Sequence, residues 1–171
     1  MNRLWAILGM AFVLTASYGA SALLGSFKLP GLLITVGLVG LLVLAQKGLS
    51  EAWFASAAAL ILALGVHMAF GPEWALFGVT HDVFLHFIAA FVAALLAHNL
   101  LQGRRHPFVL AVLVALVLGF GVELLEFLDA ALHDTLSVAC ASRFCPYWQD
   151  TVKDLVVDLL GALAFVGAKK A

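Results

Sequence analysis

Long apolar stretches, each broken by a few Gly, Pro or charged positions, dominate the chain. A bilayer core of roughly 30 Å needs about 20 apolar residues per helix. Runs of that length fall at 4–24, 29–46, 52–70, 82–101, 107–131 and 149–168. The second is the weakest, because Pro30 and Gly31 shorten it. Short connections join most of them: Gly25–Lys28, Lys47–Glu51, Gly71–His81 and Gln102–His106, with a longer one from Leu132 to Trp148. The pattern predicts an all-α polytopic transmembrane bundle of six spans, forming one domain over residues 1–171.

Composition strengthens this expectation. The chain is 64% hydrophobic and only 11% charged, with a mean hydropathy of +1.11. A soluble chain is typically about 45–50% apolar and about 25% charged, and no fold of this length hides so much apolar surface from water. The net charge of -1 comes with no basic stripe, so the footprint of a nucleic-acid binder is missing.

Lys and Arg placement sets the expected orientation. Six spans put Arg3, Lys47, Arg104, Arg105, Lys169 and Lys170 on one side, with Lys28 and Arg143 on the other and Lys153 inside the last helix. The positive-inside rule then makes both termini cytoplasmic, in the plasma (inner) membrane. Trp5 and Trp53 would lie at the inner interface, and Trp74, Tyr147 and Trp148 at the outer one. A secretory signal is the competing reading of the N-terminus, with Ala20-Ser21-Ala22 as its cleavage site. An uncleaved first span gives the cleaner charge asymmetry and is preferred.

The polar residues are not scattered. Of the ten acidic residues, all but Glu51 and Glu73 fall toward the outer ends of the last three spans. Asp82 and His86 are four apart and share a helix face. Glu123 and Glu126 begin a stripe that Asp129 and His133 continue, and Asp150, Asp154 and Asp158 recur every four residues. At about 1.5 Å per residue, Asp158 lies roughly 12 Å below Asp150. A deep layer of His86, Glu123 and Asp158 is therefore expected beneath a layer of Asp82, Glu126 and Asp154. Gly119, Gly121 and Gly161 stand close by and would let the helices approach.

An intramembrane carboxylate costs about 2.5–3.5 kcal/mol even on lenient insertion scales. Such a cluster persists if its acids are partly protonated, line a wet cavity or hold a metal ion. Carboxylates and His without nearby Cys suit Zn, Mn, Fe, Mg or Ca. In the metal reading Asp82, His86, Glu126 and Asp154 are ligands, Glu123 and Asp158 are catalytic, and His67, Asp129, His133 and Asp150 are additional candidates. The structural alternatives are specific. Asp82 and Asp150 could be helix N-caps, Asp150 and Lys153 a helical ion pair, His133 a partner of Asp129, and His67 a packing residue. Cys140 and Cys145 fall in the outer loop and are expected to form a disulfide.

The run Asp82-Val-Phe-Leu-His86-Phe87, the Glu123-Leu-Leu-Glu126 pair, and Trp148-Gln-Asp150-Thr151-Val-Lys-Asp154-Leu with Asp158-Leu-Leu-Gly161-Ala162 resemble the YjdF-like inner-membrane proteins. They are similar, more distantly, to the VanZ-like family. The resemblance covers residues 80–165 and implies a polytopic membrane architecture more than a chemistry. The cysteine pair, Asp129 and Asp134 stand outside its motifs.

Three functions compete. One is a metal-dependent hydrolase or transferase acting on a membrane lipid or lipid-linked substrate at an extracytoplasmic site. His-Glu-x-x-His and Gly-x-Ser-x-Gly motifs are missing, so it would belong to neither of those enzyme types. The second is a cation- or proton-coupled transporter, which six spans would favour only if the chain forms a homo-oligomer. The third is a non-catalytic accessory subunit whose acids receive a basic partner helix.

Overall fold

A computed structural model describes residues 2–24, 29–70, 75–76, 79–132 and 146–170. Within them lie six helices: α1 (Arg3–Leu23), α2 (Leu29–Ala45), α3 (Glu51–Phe70), α4 (His81–Leu100), α5 (Pro107–Leu132) and α6 (Pro146–Lys170). The expectation of an all-α chain needs one amendment. Between α3 and α4, β1 (Ala75–Leu76) pairs antiparallel with β2 (Val79–Thr80), in the register Ala75↔Thr80 and Leu76↔Val79. Two residues per strand is too little for a sheet, and the ladder simply closes a connection.

Local chemistry explains the helix starts. The Asn2 side chain accepts from Leu4 N at 3.1 Å and caps α1, and Ser50 Oγ accepts from Trp53 N at 3.3 Å and caps α3. Pro107 and Pro146 open α5 and α6, where a missing N–H costs nothing. Pro146 therefore starts α6 three residues before the hydropathy pattern does, taking residues expected in the long loop.

Helix α4 is the centre of the bundle. It packs most extensively on α6 and α5 and also meets α2 and α3, while α1 lies against α3 and α2. Its middle, Val92–Ala97, is buried throughout, and four of those positions are Ala or Val, so neighbouring helices come close. The outer faces are the reverse. Val109, Leu113, Val117, Phe120 and Leu124 expose one apolar stripe on α5, and Val152, Val156, Leu160 and Leu163 another on α6. Apolar area displayed at helical spacing around a whole bundle is a lipid-facing surface.

Four helical segments are long and apolar enough to cross a membrane: Arg3–Leu23, Glu51–Phe70, Asp82–Leu100 and Pro107–Leu128. The other two expected spans fall short for separate reasons. The apolar part of α2, Gly31–Ala45, is short. Helix α6 carries Asp154 and Asp158 inward, each 2% exposed, while its outer stripe stays apolar, so hydropathy averaged around the helix masks that stripe.

One end of the bundle is tied by Arg3. Its guanidinium bonds Glu51 Oε1 at 2.8 and 3.0 Å, Leu49 O at 2.8 Å and Gln46 O, closing the α2–α3 turn onto the start of α1. Asn99 Nδ2 donates to Ala45 O at 2.7 Å from the end of α4, and the Lys169 ammonium lies 5.5 Å from the Trp53 ring centroid. Arg3→Ala leaves two turn carbonyls without this donor. It should lower stability by roughly 1–3 kcal/mol in detergent unfolding; an unchanged midpoint would show that water replaces the clamp.

Candidate functional site

The other end of the bundle holds the acids. Helix α4 begins there with Asp82 in its first turn, α5 ends there, and α6 begins there. Four polar side chains are buried between the three helices: His86 (7% exposed), Glu123 (5%), Asp154 and Asp158. Asp82 is half-buried, and Asp150 is exposed at the rim.

His86 is the hub. Its Nδ1 lies 3.2 Å from Asp158 Oδ1, and its Nε2 lies 3.6 Å from Glu123 Oε1 and 3.8 Å from Asp82 Oδ1. The Asp158 contact suits an Nδ1–H donating to the carboxylate, and Nε2 faces Asp82 and Glu123. Thr151, one turn ahead of Asp154 on α6, interacts with Glu123 of α5. Glu126 is half-buried beside the exposed side chains of Leu124, Phe127 and Leu128.

Lys153 supplies the counter-charge. Its Nζ is 2.5 Å from Asp150 Oδ1, 3.4 Å from Asp82 Oδ2 and 3.3 Å from Asp154 Oδ1. The pairing expected from the sequence, Asp150 with Lys153, is therefore present but belongs to a network spanning α4 and α6. Even so, Glu123 Oε1 and Asp158 Oδ2 are buried without a hydrogen-bond partner, and Asp154 Oδ1 has only the Lys153 ammonium at 3.3 Å. Buried carboxylate oxygens without donors are costly, and that deficit is what a bound cation would relieve. Asp82, His86 and Asp154 each offer a ligand atom, and these atoms lie within 4.8 Å of one another.

Close helix approach builds this geometry. A Cβ at Gly119 would strike the Asp158 carboxylate, whose Cγ would be 2.8 Å away, and a Cβ at Gly161 would strike the Phe87 carbonyl. Gly121 has open space and plays no such part.

Of the residues singled out in the sequence, Asp82, His86, Glu123, Asp154 and Asp158 are brought together. Glu126 borders them and is not one of the three clustered ligands, nor is His67, which lies half-buried on α3. Asp150 meets the cluster only through Lys153. The Asp129 side chain, His133, Asp134, Cys140 and Cys145 lie outside the described residues, and with them the expected disulfide. Sequence reasoning underweighted Lys153 and gave Thr151 no role of its own. Thr151 could have been found from its place one position after Asp150, in the most specific motif of the chain.

Residues 2–169 match the family model described as predicted membrane protein (DUF2238), and the chain belongs to that family. It is the YjdF-like family that the motifs resemble; the VanZ-like likeness gains no support. No curated protein and no solved structure matches the chain.

Proposed function

We propose that this member of a predicted membrane protein family binds a divalent cation through Asp82, His86 and Asp154, and uses it in a hydrolase or transferase reaction on a lipid or lipid-linked substrate. In this reading all six helices span the inner membrane, both termini are cytoplasmic, and the site opens to the extracytoplasmic side. The Lys/Arg-rich end is then cytoplasmic, as the positive-inside rule asks.

One observation carries the proposal: Asp158 engages His86 Nδ1 at 3.2 Å while Nε2 faces other carboxylates. Metal-ligating histidines typically donate their second ring N–H to a carboxylate, which fixes the ring and raises its basicity. The cation would supply Lewis acidity and a water acidic enough to act as nucleophile near neutral pH. Asp158 thereby becomes a positioning residue rather than the catalytic one expected from sequence. Glu123, on the Nε2 side of the ring, is left as the proton acceptor. The exposed Leu124, Phe127 and Leu128 beside Glu126 suit acyl chains entering from the bilayer.

The apolar middle of α4 favours this reading over a relay. From Ala90 to Ala97, all the buried side chains are apolar, and Ala162 and Phe165 of α6 are buried with them. A transported ion would have no polar step through that layer.

Elemental analysis of protein purified without chelator tests the proposal. About one equivalent of a divalent metal is expected, lost in Asp154→Asn and bound roughly 10–100-fold more weakly in Asp158→Asn. Metal-free wild-type protein that also fails to take up added Zn, Mn, Fe, Mg or Ca would end it.

A further inference from the structure

A second polar site lies at the opposite end of the bundle, independent of the acid cluster. A cleft of about 340 Å³ opens there, lined by Ser50, Trp53, His98, Gln102 and Lys169 among others. That volume is within the roughly 300–1,000 Å³ typical of small-ligand sites. Among the described residues no carboxylate lines it, although Glu51 stands next in sequence to Ser50 and is held by Arg3 at 2.8 Å.

His98 is the informative residue. Its side chain is 6% exposed, its ring stacks on Phe108 at 4.3 Å between centroids, and Phe165 lies at 5.5 Å. The aromatic packing holds the ring but offers its nitrogens no partner, and no hydrogen bond to them exists among the described residues. A polar side chain more than nine-tenths buried, without a protein partner and on the wall of a cleft, implies that a ligand or water meets it there.

The other walls select the ligand's charge. The Lys169 ammonium sits 5.5 Å from the Trp53 ring centroid at the mouth of the cleft. Asn99 is committed to the protein: it donates to Ala45 O at 2.7 Å and its Oδ1 accepts from Gln102 Nε2 at 3.4 Å. Gly48 leaves room for it, since a Cβ there would lie 2.7 Å from Asn99 Nδ2. That commitment leaves Lys169, the imidazole N–H of His98, the second amide N–H of Gln102 and the Ser50 hydroxyl as donors. Helix α3, 20 residues long, also directs its N-terminus here, adding a partial positive charge.

We propose that this cleft binds a phosphate group, either the head group of an anionic phospholipid or free phosphate. Leu49 and Leu95 in its walls and Trp53 at its edge suit a ligand that continues into acyl chains.

Native mass spectrometry and thermal unfolding of the full chain in detergent test it. Delipidated protein is supplied with phosphatidylglycerol, with phosphatidylcholine or with inorganic phosphate. Phosphatidylglycerol retained in preference to phosphatidylcholine, without a response to phosphate, assigns the head group. Stabilisation by inorganic phosphate alone assigns the free ion. In either case Lys169→Met, at an exposed position, weakens binding about tenfold through loss of a charge-assisted bond. Lys47→Met, at the same end but outside the cleft, leaves it unchanged. Equal retention of both lipids with no phosphate response overturns the proposal, as does a Lys169→Met protein that binds like wild type. Because the readout uses no divalent metal, failure here leaves the acid cluster untouched.

Discussion

Gly161→Ala is expected to lower the unfolding temperature by about 3–10 °C, the shift corresponding to an overpacking cost of roughly 1–3 kcal/mol in a chain of this length. The added Cβ would meet the Phe87 carbonyl oxygen, with the carbonyl carbon at 3.1 Å and Cα at 3.2 Å. Backbone atoms of a buried helix have nowhere to go, so α4 and α6 must separate. That movement also reaches the site, because Phe87 follows His86 and Gly161 lies three residues after Asp158. Gly161→Ala should therefore lose metal as well as stability. Gly121→Ala, where nothing lies within 4 Å, should leave metal binding unchanged and stability no lower, since Ala has the better helix propensity. Gly119→Ala separates the two effects. Its Cβ meets the Asp158 side chain rather than backbone, so the carboxylate can swing away and stability falls less than the His86 contact does. Equal unfolding temperatures for Gly161→Ala and wild type would mean that the helices are not held at this distance.

Much of this was legible in the chain. The hydrophobic runs place five of the six helices within a residue or so at each end, because apolar length and charge punctuation are properties of the sequence itself. Helix α6 was less legible: Pro146 starts it before its apolar pattern begins. The periods of four at Asp82–His86 and Asp150–Asp154–Asp158 put the right side chains on common faces, and depth counting grouped His86 with Glu123 and Asp158. What spacing could not supply is rotation between helices. Glu126 is one turn from Glu123 on α5, yet Glu123 is 5% exposed and meets His86, whereas Glu126 sits at the lipid-facing border. Nor does a charge count reveal that Lys153 reaches across to α4. From sequence its nearest partner is Asp150, and only helix packing brings Asp82 within 3.4 Å.

That reach makes Lys153 the most revealing single substitution. Its ammonium contacts Asp82 and Asp154, two of the three clustered ligands, so a tethered cation already stands where a divalent ion would be drawn. An arriving ion must displace it toward Asp150, which holds it at 2.5 Å. Two unit charges about 4 Å apart interact by roughly 4 kcal/mol at an effective dielectric of 20. Lys153 is 41% exposed, and screening reduces that to roughly 1–2 kcal/mol. Lys153→Met should accordingly bind a divalent cation about tenfold more tightly than wild type. In chelator the same variant should unfold at a lower temperature, because Asp82 and Asp154 then face each other without a counter-charge. Saturating metal should erase that deficit or reverse it. A purely structural ion-pair network makes the opposite forecast: the Lys153→Met deficit would be equal with and without metal. Unfolding temperatures of the two proteins, each measured in chelator and in metal, decide between a cation site guarded by its own lysine and a set of acids that the lysine alone keeps folded.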